Sequence, residues 1–469
     1  MPTSSLLTNN TNLTNHQQQY LEKFIARYNQ KTQKSKQQTQ KYRPVLADVR
    51  GSAGFRAEYK EIVYPIIGKY AVGSKMWDID ENEYVDLMMG FGVNLFGYNP
   101  PFLKEAITQR LEQGIHFGPQ SDLAGEVAEL FSKLTGMERV AISNTGTEAV
   151  MTALRLARAA TGRHKIVMFS GSYHGHFDGT LAKSQIVDGI ATVMPTDIGI
   201  PHNIIADVSV LEYGNFQALE VIKANADDLA AVIIEPIQNS RPDLQPREFL
   251  QELRQLTAEF GIALIFDEML TGFRIHPNGA QGWFGIQADI ATYGKIVGGG
   301  MPIGIIAGKA TYLDRIDGGM WNYGDTSSPQ VETTFFAGTY CKHPLAMAAA
   351  LAVLKHLKKE GASLYQNLND RTTQFINQLN TYFAQDEVPI RLANCGSIFN
   401  AVPLDDSVAS DNAADANLGL IYYHLIEKGV FLRPGGGLLS TAHSDEDINY
   451  IIEAVKESVQ NLREGHFLP

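Results

Sequence analysis

Between residues 100 and 310 the apolar positions alternate between two rhythms. The runs RVAISN (139–144), KIVMFS (165–170), AAVIIEP (230–236) and ALIFDE (263–268) are short and almost continuously hydrophobic, which predicts buried strands. Between them, AGEVAELFSKLTG (124–136), GTEAVMTALRLARAATG (146–162) and PREFLQELRQLTAEFG (246–261) predict helices. PPFLKEAITQRLEQG (100–114) opens on prolines suited to a helix start and closes on glycine. The repetition predicts an α/β fold with a mostly parallel central sheet covered by helices on both faces. Upstream, YPIIGKYAVGSKMWDIDENEYVDL (64–87) predicts short strands around an Asp-Glu-Asn turn. From residue 344, PLAMAAALAVLKHLKKEG predicts a long helix, followed by mixed helices and strands that end in DEDINYIIEAVKESVQNLREG (445–465). The expected organisation is a mobile polar tail (1–44), the N-terminal part of a small α+β domain (45–110), a large domain (111–340), and the C-terminal part of the small domain (341–469).

In the tail, NQKTQKSKQQTQK (29–41) approaches low complexity, while Leu21, Phe24, Ile25 and Tyr28 fall at helical spacing. One short amphipathic helix, packed on the body or docking another protein, is therefore expected there. Hydrophobic residues are 44% and charged residues 19%, and 39 basic against 51 acidic side chains leave a net charge of −12. That balance disfavours nucleic acid and anionic membranes as partners. No apolar run is long enough for a membrane span, and the first residues lack a secretory pattern. Two cysteines, Cys341 and Cys395, offer neither a disulfide framework nor a metal site, so a cytoplasmic protein is expected.

Three stretches carry candidate chemistry. ATYGKIVGGGMPIG (291–304) is too rich in glycine and proline for a helix or strand interior and is expected to be a shaped loop around Lys295. Asp267 ends a buried strand, where ligands of open α/β sheets gather. In SNTGTEA (143–149), Gly146 and Thr147 begin a helix whose free amides suit a phosphate. An amine, a strand-end acid and a phosphate-sized helix N-terminus are what a pyridoxal phosphate site requires. The competing nucleotide-triphosphatase reading lacks its loop: Gly308-Lys309 has Ile303 where the first glycine belongs and Ala310 in place of a hydroxyl. SGSYHGHFDG (170–179) adds Tyr173, able to stack on a flat ring, with His174 and His176 beside it. Histidines at i and i+2 share no helix face, which argues against a metal.

In this order and spacing, SNTGTEAVMTALRLARAATGR, SYHGHFDG, IIEPIQ, FDEMLTGFR, ADIATYGKIVGGGMPIG and FFAGTYCKHPLAMAAA resemble the class III aminotransferases of fold type I. Within that class they are most similar to glutamate-1-semialdehyde aminomutase and to aminotransferase domains of polyketide and peptide synthetases. The resemblance implies a homodimer with sites at the subunit interface. It implies that Lys295 carries pyridoxal phosphate covalently, that Asp267 pairs with the pyridine nitrogen and that Tyr173 stacks on the ring. Gly146 and Thr147 would hold the phosphate, and Thr339 would reach the phosphate of the neighbouring subunit. His174 and Glu235 would complete the cofactor site, with Met269 where many members have valine or isoleucine. Arg56 could meet a substrate carboxylate. Where ω-amino-acid members carry a glutamate after Glu-Pro-Ile-Gln, paired with a switching arginine, this chain has Asn239 and Ser240.

VLADVRGSAGFR (45–56) departs from the Pro-Gly-Gly-Val segment of the aminomutases, and residues 17–55 resemble the segment preceding synthetase aminotransferase domains. The expected function is amino transfer from glutamate or glutamine to a keto acceptor, a β-ketoacyl chain held on a carrier protein, by a free-standing or excised domain. The alternatives are a glutamate-1-semialdehyde 2,1-aminomutase and a non-catalytic assembly partner of a synthetase.

Overall fold

The computed structural model describes residues 13–52, 55–187, 189–404 and 412–468. Its centre is a seven-stranded sheet in the order Arg139–Ser143, Gly304–Gly308, Ile290–Tyr293, Ala263–Asp267, Leu229–Ile234, Lys165–Phe169, Val208–Leu211. Gly304–Gly308 is antiparallel to both neighbours, and the other neighbouring pairs are parallel. Leu229–Ile234 and Ala263–Asp267 are buried at every position, as expected of strands covered on both faces. Helix Gly146–Thr161 packs on this sheet through Val150, Ala153, Leu154 and Ala157.

The two ends of the chain meet in a second sheet, Gly68–Val72, Lys75–Asp78, Glu83–Asp86 and Val430–Phe431, where Val430 pairs with Val85. A third, Arg391–Cys395, Ile398–Val402 and Gly436–Leu438, is antiparallel. The long helix Pro344–Gln385 bends at Gly361, whose φ is +63°. Before the bend it packs on helices Pro101–Leu111 and Ala124–Thr135 and on the turn Lys295–Gly298; further along it packs on strand Arg391–Cys395. One helix thus belongs to both units, and a boundary at 341 cuts through its packing.

The segment expected to be a mobile polar tail is helical from Asn15 to Lys31 and from Gln33 to Tyr42; its first 12 residues lie outside the described ones. Thr14 and Gln17 form a capping box at the first helix, and the Asp80 carboxylate accepts from Lys34 N (2.6 Å) and Ser35 N (3.0 Å) at the second. Leu21, Phe24 and Tyr28 are buried, with Phe24 4.0 Å from the His424 ring and Tyr28 against Tyr64 and Tyr423. Three large side chains on one stripe anchor an otherwise polar helix.

Candidate active site

The carboxyl ends of the central strands converge on one region. Asp267 is the last residue of its strand and pairs in register with Thr292, three residues before Lys295. Its Oδ1 accepts from Thr292 Oγ1 (3.1 Å) and Met269 N (3.2 Å), and its Oδ2 lies 2.8 Å from His174 Nδ1. Both side chains of that pair are sealed, at 2% and 0% exposure. His174 Nε2 is buried without a protein partner.

Glu235 directly follows strand Leu229–Ile234 and accepts from Tyr173 N at 3.0 Å. Burial pushes its carboxyl up to about 7, with His174 and Lys295 opposing and Asp267 reinforcing. Tyr173 itself is 63% exposed, so its ring is open to a ligand.

Lys295 opens a short 3₁₀ turn with φ +44°, a left-handed geometry in which a non-glycine residue stores strain. Burial lowers the pKa of its amine; Glu235 and Asp267 act against this, and Arg274 and Arg433 add to it. Two glycines of the site have a packing reason. A Cβ at Gly294 would lie 2.9 Å from Met269 Sδ, and one at Gly146 2.8 Å from the same sulfur. Met269 is therefore wedged between the Lys295 loop and the N-terminus of helix Gly146–Thr161. There Thr145 Oγ1 caps Glu148 N, and Thr147 Oγ1 accepts from His176 N at 3.3 Å. The first two amides of that helix, Gly146 N and Thr147 N, have no intrahelical acceptor.

Lys295, Asp267, His174, Glu235, Met269, Gly146 and Thr147 are thus gathered. Thr339 is exposed on the segment before the long helix, and Arg56 faces the Tyr59 hydroxyl; neither joins the group within one chain. A residue the motifs did not single out does join it. Arg433 Nη2 donates to Asn239 Oδ1 at 2.9 Å, its Nε is buried without a partner, and it forms no ion pair among the described residues. Burial lowers its pKa, opposed by Glu235. Asn400, on strand Ile398–Val402, donates to Ser240 O (3.2 Å) and leaves its Oδ1 unpaired. The sequence signal for Arg433 is an arginine wedged between the apolar run GVFL and Pro-Gly-Gly-Gly.

Orphaned polar atoms on His174 and Arg433, the helix N-terminus at Gly146 and a lysine of lowered pKa fit an anionic, aldehyde-bearing aromatic cofactor. Residues 56–457 match the family model of aminotransferase class III. The chain belongs to that family. Over 409 residues it is 36% identical to a glutamate-1-semialdehyde 2,1-aminomutase of Desulfitobacterium hafniense (strain Y51), covering 85% of this chain and 91% of the relative. In structure it is similar to a β-phenylalanine aminotransferase from Variovorax paradoxus, with a TM-score of 0.79, 26% identity, and coverage of 97% and 99% of the two chains. It also superposes on a glutamate-1-semialdehyde-aminomutase from Pseudomonas aeruginosa PAO1 in complex with PMP, with a TM-score of 0.82, 21% identity, and coverage of 95% and 98%, a likeness that speaks to the fold. This class III aminotransferase has the fold type I architecture, and its cofactor is pyridoxal phosphate. Membership sets aside the non-catalytic alternative. No helix among the described residues is long and apolar enough to cross a membrane.

Proposed function

We propose that this aminotransferase moves an amino group between a carboxylate-bearing amino compound and a carbonyl carbon, with Lys295 as the cofactor-bearing, proton-moving amine. The observation that carries the reading is the convergence of Lys295, Asp267 and the unpaired cation Arg433 at one end of the sheet. Pyridoxal phosphate bound there supplies an aldehyde that takes up the amino group and a ring that takes up electrons.

Gly146 and Thr147 would hold the phosphate, while Tyr173 and Met269 would wall the ring. Asp267, oriented by His174 and Thr292, would keep the pyridine nitrogen protonated. Lys295 takes the proton from the donor's carbon and returns it at the acceptor. Arg433 binds a substrate carboxylate in place of the counter-ion it lacks among the described residues. Thr339, exposed in a single chain, completes the phosphate site of a second copy in a homodimer, and the two free cysteines, Cys341 and Cys395, suit a reducing cytoplasm.

For the substrate, the Desulfitobacterium hafniense relative supports glutamate-1-semialdehyde, rearranged to 5-aminolevulinate. A second pair has support of its own. Asn239 leaves Arg433 charged for a donor such as glutamate, and the Variovorax paradoxus enzyme, at 26% identity, is named for a β-amino acid. Amination of a β-ketoacyl chain, carried as a thioester on a carrier protein, fits both observations.

The test has two stages. Borohydride should fix the cofactor to Lys295, and Lys295→Ala should abolish multiple turnover; full activity in that variant would end the reading. The enzyme is then given glutamate-1-semialdehyde alone, or ¹⁵N-glutamate with a β-ketoacyl thioester. 5-Aminolevulinate formed without nitrogen exchange selects the rearrangement, and labelled β-amino product selects the transfer.

A further inference from the structure

Arg274, which closes the FDEMLTGFR stretch beginning at Phe266, is fully buried and meets no carboxylate among the described residues. Its Nη2 donates to Gly92 O (2.6 Å) and its Nη1 to Ser397 Oγ (3.1 Å) and Leu439 O (3.3 Å), while Nε is buried without an acceptor. Three remote stretches of chain therefore meet on one cation. Buried charges are ordinarily paired, because nothing else replaces the solvation that burial removes. Burial alone draws this guanidinium down to about 9.

Gly92 ends a turn in which four consecutive residues are left-handed: Met89 (φ +49°), Gly90 (+62°), Phe91 (+58°) and Gly92 (+94°). Left-handed geometry at a non-glycine residue is strained, so the turn persists only because its surroundings hold it. Asp86 grips one end, its Oδ1 accepting from Met88 N (2.6 Å) and Met89 N (3.0 Å). Arg274 grips the other. A Cβ on Gly92 would come within 2.8 Å of Leu270 Cδ1, which leaves that end no slack. The clamped turn rests against the turn Lys295–Gly298, with Met89 buried and Phe91 57% exposed.

Glu235 and Asp267 favour the ammonium form of Lys295, and Arg274 and Arg433 oppose it. Of the two cations, only Arg433 is placed to receive a substrate carboxylate, so the charge of Arg274 stays unpaired through the reaction.

We infer that Arg274 is a positioning residue for amino transfer: its hydrogen bonds clamp the strained turn bearing Phe91 against the Lys295 turn, and its unpaired charge acts on the Lys295 amine. The inference rests on the reading of Lys295 as the cofactor-bearing amine. It is tested on holoenzyme by following cofactor absorbance against pH, together with steady-state kinetics, in wild type, Arg274→Met, Arg274→Lys and Ser397→Ala.

Arg274→Met should shift the absorbance midpoint upward, on the order of one pH unit, because an opposing charge is gone. Arg274→Lys should leave the midpoint near wild type yet raise KM about fivefold, since an ammonium cannot reproduce the three-acceptor fork. Ser397→Ala should raise KM about twofold with the midpoint unmoved. A folded Arg274→Met with an unmoved midpoint overturns the inference, as does an equal shift in the Met and Lys variants. Should the Met variant not fold, unchanged KM in both Arg274→Lys and Ser397→Ala overturns it. A wild-type enzyme whose cofactor is not fixed to Lys295 by borohydride strikes the earlier reading instead.

Discussion

His174 Nδ1 lies 2.8 Å from Asp267 Oδ2, inside a shell that water does not reach. The carboxylate's other oxygen already accepts from Thr292 and Met269, so Asp267 is fixed by three donors, and the imidazole sets the direction of one oxygen. Such partners typically change function ten- to a hundredfold when removed. His174→Ala is therefore expected to bind cofactor but slow the donor half-reaction by about 10- to 100-fold in stopped-flow absorbance. Asp267→Asn, which removes the charge itself, is expected to cost several kcal/mol in the same step. A near wild-type rate in Asp267→Asn would place the electron sink elsewhere.

Asn239 holds Arg433 through a neutral amide. Asn239→Asp would put a carboxylate on that guanidinium and compensate the charge that a substrate would otherwise meet. The donor KM is expected to rise about tenfold with little change in kcat, and inhibition by a simple dicarboxylate should weaken in parallel. Unchanged inhibition would show that Arg433 does not meet the carboxylate.

Glu268 is a buried carboxyl that accepts from Ala280 N and Gln281 N, both at 2.9 Å, and burial pushes it up to about 7. Its folded pKa stands above its unfolded value near 4.5. The folded state then binds more protons between those values, so stability falls as pH rises from about 4.5 to about 7 and the loss is complete above it. Glu268→Gln keeps an acceptor and removes the titration. Its thermal midpoint is expected to depend less on pH across that window than wild type does; parallel curves would assign the effect to other groups.

Phe24 joins the N-terminal helix to the body by packing its ring against His424. Phe24→Ala is expected to cost about 3–5 kcal/mol in urea unfolding. A change within about 0.5 kcal/mol, the scale of surface substitutions, would mean that the helix is not part of the cooperative core.

The strands and helices of the large domain were legible because both periods are local: ALIFDE needs no distant residue to read as a buried strand ending in an acid. Lys295 was legible for the same reason, since its glycine-rich surroundings spell out a shaped loop. The first N-terminal helix was legible in the helical spacing of Leu21, Phe24, Ile25 and Tyr28, whereas the second, Gln33–Tyr42, was hidden in the low-complexity stretch. The surface that buries Phe24 and Tyr28 is supplied by Tyr64, Tyr423 and His424, two of them some 400 residues away.

What the sequence by itself determined is the alternation of elements and the identity of the residues at strand ends, because backbone periodicity and turn chemistry act over a few residues. What only the tertiary structure decided is which of those residues share an environment. His174 meets Asp267 across 93 positions and Arg433 meets Asn239 across 194. Arg274 reaches Gly92 across 182. Whether a charge is paired, sealed or left open to a ligand depends on such distant neighbours, since solvation and Coulomb energy act through space and not along the chain.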